Sequence, residues 1–62
     1  MRYQSVEITT ENGTIIAISS ERKVAMEIIN EKGLVPVQEM LCPLFDDECE
    51  PTGESVLVIT VQ

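Results

Sequence analysis

The sequence predicts a small α+β domain: a four-stranded, mainly antiparallel sheet with one helix on one face, in ββαββ order. Three observations lead there. Asn12-Gly13 lies between two stretches of strand-like pattern, an amphipathic stretch from about 21 to 32 runs into Gly33, and residues 55–61 form a run dense in β-branched side chains. At 62 residues the chain makes one small acidic domain, residues 1–62, close to the lower size at which a hydrophobic core holds without staples. With 44% of residues apolar and aliphatics dominant, the composition is that of a folding chain and not of a disordered one.

The first element is a hairpin. Asn-Gly supplies the two positive-φ residues of a type I′ turn, which pairs Glu11 with Thr14, Thr10 with Ile15, Thr9 with Ile16, Ile8 with Ala17 and Glu7 with Ile18. Strand one then covers about residues 3–10 and strand two about 14–19. Ile15-Ile16-Ala17-Ile18 is unbroken and offers apolar groups to both sheet faces, so strand two is expected inside the sheet.

The helix follows over about 21–32. Ser19 or Ser20 can cap its first turn, Glu21 suits the positive end of the helix dipole, and Gly33 can adopt the left-handed conformation that ends it. Val24, Ala25, Ile28 and Ile29 form the apolar stripe, with Arg22, Lys23, Glu27 and Glu31 outward. Leu34 is placed to close over Ile29 in a Schellman-type end. This stripe reads as core.

Residues 37–42 are expected as strand three, stopped by Pro43, which has no amide hydrogen for a ladder; an irregular path of residues 34–45 across the sheet is the competing reading. Ser55 begins the last strand, which runs to Val61. One helix covers one face of such a sheet. Alternation then puts Ile16 and Ile18 of strand two, and Val56 and Val58 of strand four, on the other face, where they form an apolar interface unless residues 34–54 fold back over it.

Residues 43–54 join the last two strands, a long connection for a hairpin. Glu50-Pro51-Thr52-Gly53 fits a type I turn. Ahead of it, Asp46, Asp47, Glu48 and Glu50 put four carboxylates in five residues, and in an extended chain Asp46, Glu48 and Glu50 share one side at spacings of about 6–7 Å, of the order of neighbouring phosphates. With Glu39 and Glu54 they form the candidate partner-binding set.

Charge is unevenly placed. Eleven acidic against four basic residues give a net charge of -7, yet residues 1–32 sum to -1 and residues 33–62, with six carboxylates and no Lys or Arg, to -6. Such a field repels phosphate backbones and anionic membranes and speeds encounter with basic surfaces. Only Tyr3 and Phe45 are aromatic, so stacking platforms for bases are missing. Direct nucleic-acid and membrane binding are disfavoured.

No apolar leader follows Met1-Arg2-Tyr3-Gln4-Ser5, and no run approaches the roughly 18 residues of a membrane span; the cytoplasm of a microbe, or of a virus-infected host, is expected. Cys42 and Cys49 are too few for a secreted disulfide framework and lack the Cys-x-x-Cys spacing of a zinc site. Two free thiols are expected, Cys42 packed and Cys49 in the loop. Pro51 stands where an EF-hand needs its glycine. No metal or cofactor is expected.

Catalysis is disfavoured. The chain has no histidine, the commonest general base, and Gly13, Gly33 and Gly53 are each assigned to a turn or a cap instead of a phosphate loop. Two non-enzymatic functions remain. One is a protein-binding inhibitor that docks its acidic half on a basic, nucleic-acid-binding surface of a partner, the kind of molecule being, by size and charge only, a small antitoxin-like or phage-encoded anti-defence (anti-CRISPR) protein. The other is a structural module that forms a homodimer through its apolar sheet face.

Overall fold

The computed structural model describes residues 3–62; Met1 and Arg2, where the expectation of no leader begins, lie outside the described residues. The elements are β1 (Ser5–Thr10), β2 (Ile15–Ser19), α1 (Arg22–Glu31), β3 (Pro36–Phe45) and β4 (Pro51–Val61). This is the expected α+β architecture in ββαββ order. The four strands lie in the order β2-β1-β4-β3. The two hairpin pairings are antiparallel and the central β1–β4 pairing is parallel, so the sheet is mixed.

The core sits on one side of this sheet. Val6 and Ile8 of β1 and Leu57, Ile59 and Val61 of β4 face Ala25 and Ile29 of the helix, and all seven are buried. Because β1 and β4 run parallel with Val6 opposite Leu57 and Ile8 opposite Ile59, every second residue of each strand adds to one continuous apolar layer. Tyr3, Ile16, Ala17, Met26, Ile28, Leu34 and Leu41 pack around it.

Strand two is a correction. The interior strands are β1 and β4, and β2 is an edge. Its pairing agrees with the expected register at Glu7–Ile18 and Ile8–Ala17, but Thr9 faces Ile15, not Ile16. The cause lies at the turn. Asn12 is not in a positive-φ conformation; only Gly13 is, at φ 91°. Thr10 carbonyl accepts from Gly13 N–H at 2.9 Å, and Thr10 N–H donates to Thr14 carbonyl at 2.8 Å. The loop is therefore the three residues Glu11-Asn12-Gly13, a type I turn followed by a left-handed residue, instead of a two-residue type I′ turn. A bulge at Ile16 compensates for the changed count. Ile16 and Ala17 both pack against the core, while Ile15 and Ile18 are left exposed.

The helix ends as expected. Gly33, at φ 69°, donates to Asn30 carbonyl at 3.1 Å and Leu34 donates to Ile29 carbonyl at 3.0 Å, the paired bonds of a Schellman motif, and Leu34 packs against the core. Its start differs. Glu21 is the N-cap and makes no side-chain cap bond; Ser19 Oγ instead accepts from Glu21 N–H at 3.2 Å, just ahead of the helix. The stripe is rotated from the expected one, with Val24 exposed and Met26 partly buried in its stead. The same rotation turns Arg22 over the sheet and away from its expected outward direction.

The third strand is longer than expected. Pro43 does not stop β3, which continues to Phe45. An edge strand tolerates proline because one side of its ladder has no partner, and β3 is such an edge. Likewise Glu50-Pro51-Thr52-Gly53 is not a turn: Pro51 opens β4, and Gly53, at φ 84°, sits in an irregular stretch of that strand. There Thr52 Oγ1 donates to Leu44 carbonyl at 3.1 Å and accepts from Glu54 N–H at 3.2 Å. Residues 34–54 do not fold back over the sheet.

Candidate functional site

The expected long connection shrinks to residues 46–50, because most of it is strand. β1 pairs β4 only from Val56 onward, so the earlier part of β4 and the end of β3 project beyond the body as a two-stranded arm. The molecule is correspondingly long, 39 × 23 × 15 Å. The acidic residues cap this arm.

At the tip, Asp46 carbonyl accepts from Cys49 N–H and Asp46 N–H donates to Glu50 carbonyl, both at 3.0 Å. Asp46 Oδ1 also accepts from Glu48 N–H at 2.9 Å and Glu50 N–H at 3.0 Å. Asp at the first position of a type I turn does this because its short carboxylate reaches the amides that the turn leaves free. The tip is thus a closed turn, not an extended stretch, and the expected one-sided row of Asp46, Glu48 and Glu50 does not form. Asp46 is occupied in holding the loop. Asp47, Glu48 and Glu50 remain exposed around it.

Glu54 stands apart from the tip, beyond the Gly53 irregularity, beside a shallow recess lined by Tyr3, Gln4 and Ser55. Glu39 is also separate, and it is engaged. Arg22 Nε and Nη2 donate to its two carboxylate oxygens at 2.7 Å and 2.8 Å, a bidentate pair that ties the start of the helix to β3. These hydrogen bonds hold the Glu39 carboxyl below its usual range and raise Arg22. Helix phase brought Arg22 there, and an outward assignment of that residue concealed the pair. Glu39 thus stands on the body of the molecule, apart from the carboxylates of the arm.

No group of three or more His, Cys, Asp or Glu side chains converges closely enough to hold a metal among the described residues. Cys42 is half-buried and Cys49 exposed, and neither is bonded. Cys49 has φ 63°, a left-handed conformation uncommon for a residue with a Cβ.

The second candidate surface is the sheet face opposite the helix. Register places Ser5, Glu7 and Thr9 of β1, Val56, Val58 and Thr60 of β4, and Gln38, Met40 and Cys42 of β3 on it, together with the exposed Ile15 and Ile18 of β2. Ile18, Val56 and Val58 are where alternation put them. Ile16 is not, because the bulge turns it toward the core, and Ile15 and Met40 take part where alternation did not single them out. Met40 is about half exposed, at 51%, and Ile18 more so, at 62%. No helix of the described residues is long and apolar enough to cross a membrane. Comparison with family models, with curated proteins and with solved structures finds no match to this chain.

Proposed function

We propose that this protein is a non-enzymatic inhibitor that inserts its acidic arm into a basic, nucleic-acid-binding surface of a partner protein, in the manner of a small antitoxin-like or anti-defence protein acting in the cytoplasm. One observation carries the reading: the β3–β4 arm bears Asp46, Asp47, Glu48, Glu50 and Glu54, and residues 33–62 contain no Lys or Arg. The arm is therefore a concentrated negative charge at one end of a long molecule. Asp46 pins the loop backbone through two amides, so Asp47, Glu48 and Glu50 are presented from a preformed turn and little loop entropy is lost on docking. A surface evolved to bind phosphates offers the complementary potential and steers the encounter.

The test compares the native chain with a variant carrying Asp47→Asn, Glu48→Gln, Glu50→Gln and Glu54→Gln, against basic nucleic-acid-binding proteins at about 50 mM and about 500 mM salt. Binding that weakens with salt, falls at least about tenfold in the variant and is displaced by duplex DNA supports docking on a nucleic-acid site. Binding indifferent to the four substitutions sinks it.

A further inference from the structure

We infer that the open sheet face is the interface of a symmetric homodimer, in which a second copy of this chain packs its own open face against the first to make a two-layer sandwich. The inference is independent of the acidic arm. It starts from what is missing on that side. The helix and all seven buried core residues lie on one side of the sheet, whereas the exposed Ile15, Ile18 and Met40 and the half-buried Val56 and Val58 lie on the other, where none of the described elements forms a second layer.

Exposure argues for a missing layer: Ile15, Ile18 and Met40 are 53%, 62% and 51% exposed on this one face, and contiguous apolar surface of that kind marks an interface. Stacked sheets pack at about 10 Å through alternating side chains, and the residues on this face are of that type.

Charge selects the occupant. The chain carries 15 charged residues, yet among the described residues Glu7 is the one that register places among these strands on this face. A basic partner finds almost nothing there to pair with. The fitting occupant is nearly uncharged, with aliphatic side chains among neutral polar ones, and the same face of a second copy is such a surface. A two-fold axis lying between the two sheets and across the strands sets the acidic arms at opposite ends, so the charges that would repel are kept apart. Glu7, half-buried between Ile18 and Val58, has a stem long enough to carry its carboxylate toward the rim.

Addition at a sheet edge is the less favourable way to associate. Edge β3 contains Pro36 and Pro43 and shifts register beside both, and edge β2 is five residues long with a bulge. Prolines, shortness and bulges are devices that keep edges from pairing.

The experiment is sedimentation equilibrium of the full chain in reducing buffer from about 10 µM to about 500 µM, at about 50 mM and about 500 mM salt. The expected mass rises with concentration to twice 6.9 kDa, and association is at least as strong at high salt. Ile18→Glu and Val58→Glu should each weaken it at least about tenfold, while Val24→Glu, on the exposed side of the helix, leaves it unchanged. A monomer at about 500 µM in both salts, or a dimer that survives Ile18→Glu in a chain still folded by circular dichroism, overturns the proposal. Should the substitutions unfold the chain, the native thiols decide: Cys42, opposite Val56 on the face, is alkylated more slowly as concentration rises, while Cys49 at the arm tip is not. Parallel rates for the two thiols at every concentration overturn it equally.

Discussion

The two hairpins of this protein close with the same loop and then diverge in everything else. In β1–β2 the bonds run from Gly13 N–H to Thr10 carbonyl and from Thr10 N–H to Thr14 carbonyl; in β3–β4 they run from Cys49 N–H to Asp46 carbonyl and from Asp46 N–H to Glu50 carbonyl. Each loop has three residues and ends on a left-handed one, Gly13 or Cys49. Each is tightened by a polar side chain. Thr10 Oγ1 donates to Asn12 Oδ1 and accepts from Thr14 N–H, and Asp46 Oδ1 accepts from two amides.

Loop chemistry is therefore not what separates them. The first hairpin contributes Val6 and Ile8 to the core and lies under the helix; the second contributes Leu57, Ile59 and Val61 at one end and runs out into solvent at the other. An identical turn can close a structural element or hold up a presenting one. Which it becomes depends on how much of each strand finds a partner layer.

The sharpest way to test that contrast is to cut into each region. Ile59→Ala removes a fully buried side chain from β4, the strand that joins the second hairpin to the first through its pairing with β1, and should cost about 2–5 kcal/mol. Since a chain of 62 residues holds only about 3–9 kcal/mol in total, much of the population should unfold in a urea titration. Phe45→Ala, at a position 60% exposed on the arm, should stay within about 0.5 kcal/mol. Comparable losses at the two sites would mean that the arm is packed and not projecting.

Exchanging the left-handed residues comes next. Gly13→Ala should destabilise by about 1 kcal/mol for conformational reasons alone, because an added Cβ meets no atom within 4 Å. Cys49→Gly should do the opposite and gain up to about 1 kcal/mol, read as a higher thermal midpoint. A loss there would show that the Cys49 side chain has a stabilising contact that outweighs its backbone strain.

Asp46→Ala removes the acceptor of two amide bonds and should lose about 1 kcal/mol, while speeding hydrogen exchange at Glu48 and Glu50 without affecting the first loop. Asp46→Asn keeps an acceptor and should retain most of that protection. The smallest effect belongs to the Arg22–Glu39 pair, whose side chains are 47% and 38% exposed. Glu39 is held below its ordinary 4.5, so its contribution is complete above that value and disappears as pH falls through the lowered one. Glu39→Gln should lower the thermal midpoint slightly at neutral pH and not at all in strong acid.

Much of the fold was legible in the chain. Gly33 and Leu34 announced the helix end, Asn12-Gly13 announced a hairpin, and the β-branched residues from Ser55 to Val61 announced a strand, because each signal depends on a few neighbouring residues. The acidic arm was legible as composition but not as geometry. Asp46 at the head of a type I turn was a readable signal, yet Pro51 and Gly53 competed with it and drew the turn four residues too late. The bulge at Ile16 had no signal, since it arises from the mismatch between a three-residue loop and the register that packing requires.

Sequence by itself determined the element order, the helix stop, the sign and placement of charge and the apolar side chains available to pair, all of which are properties of short range or of composition. Only the tertiary structure decided that β4 lies parallel beside β1, that β2 is an edge, that Arg22 reaches Glu39 and that Ile16 turns inward while Ile15 and Ile18 stay out. These depend on contacts between segments far apart in the chain, where packing of a single helix against one side of the sheet outweighs local preference.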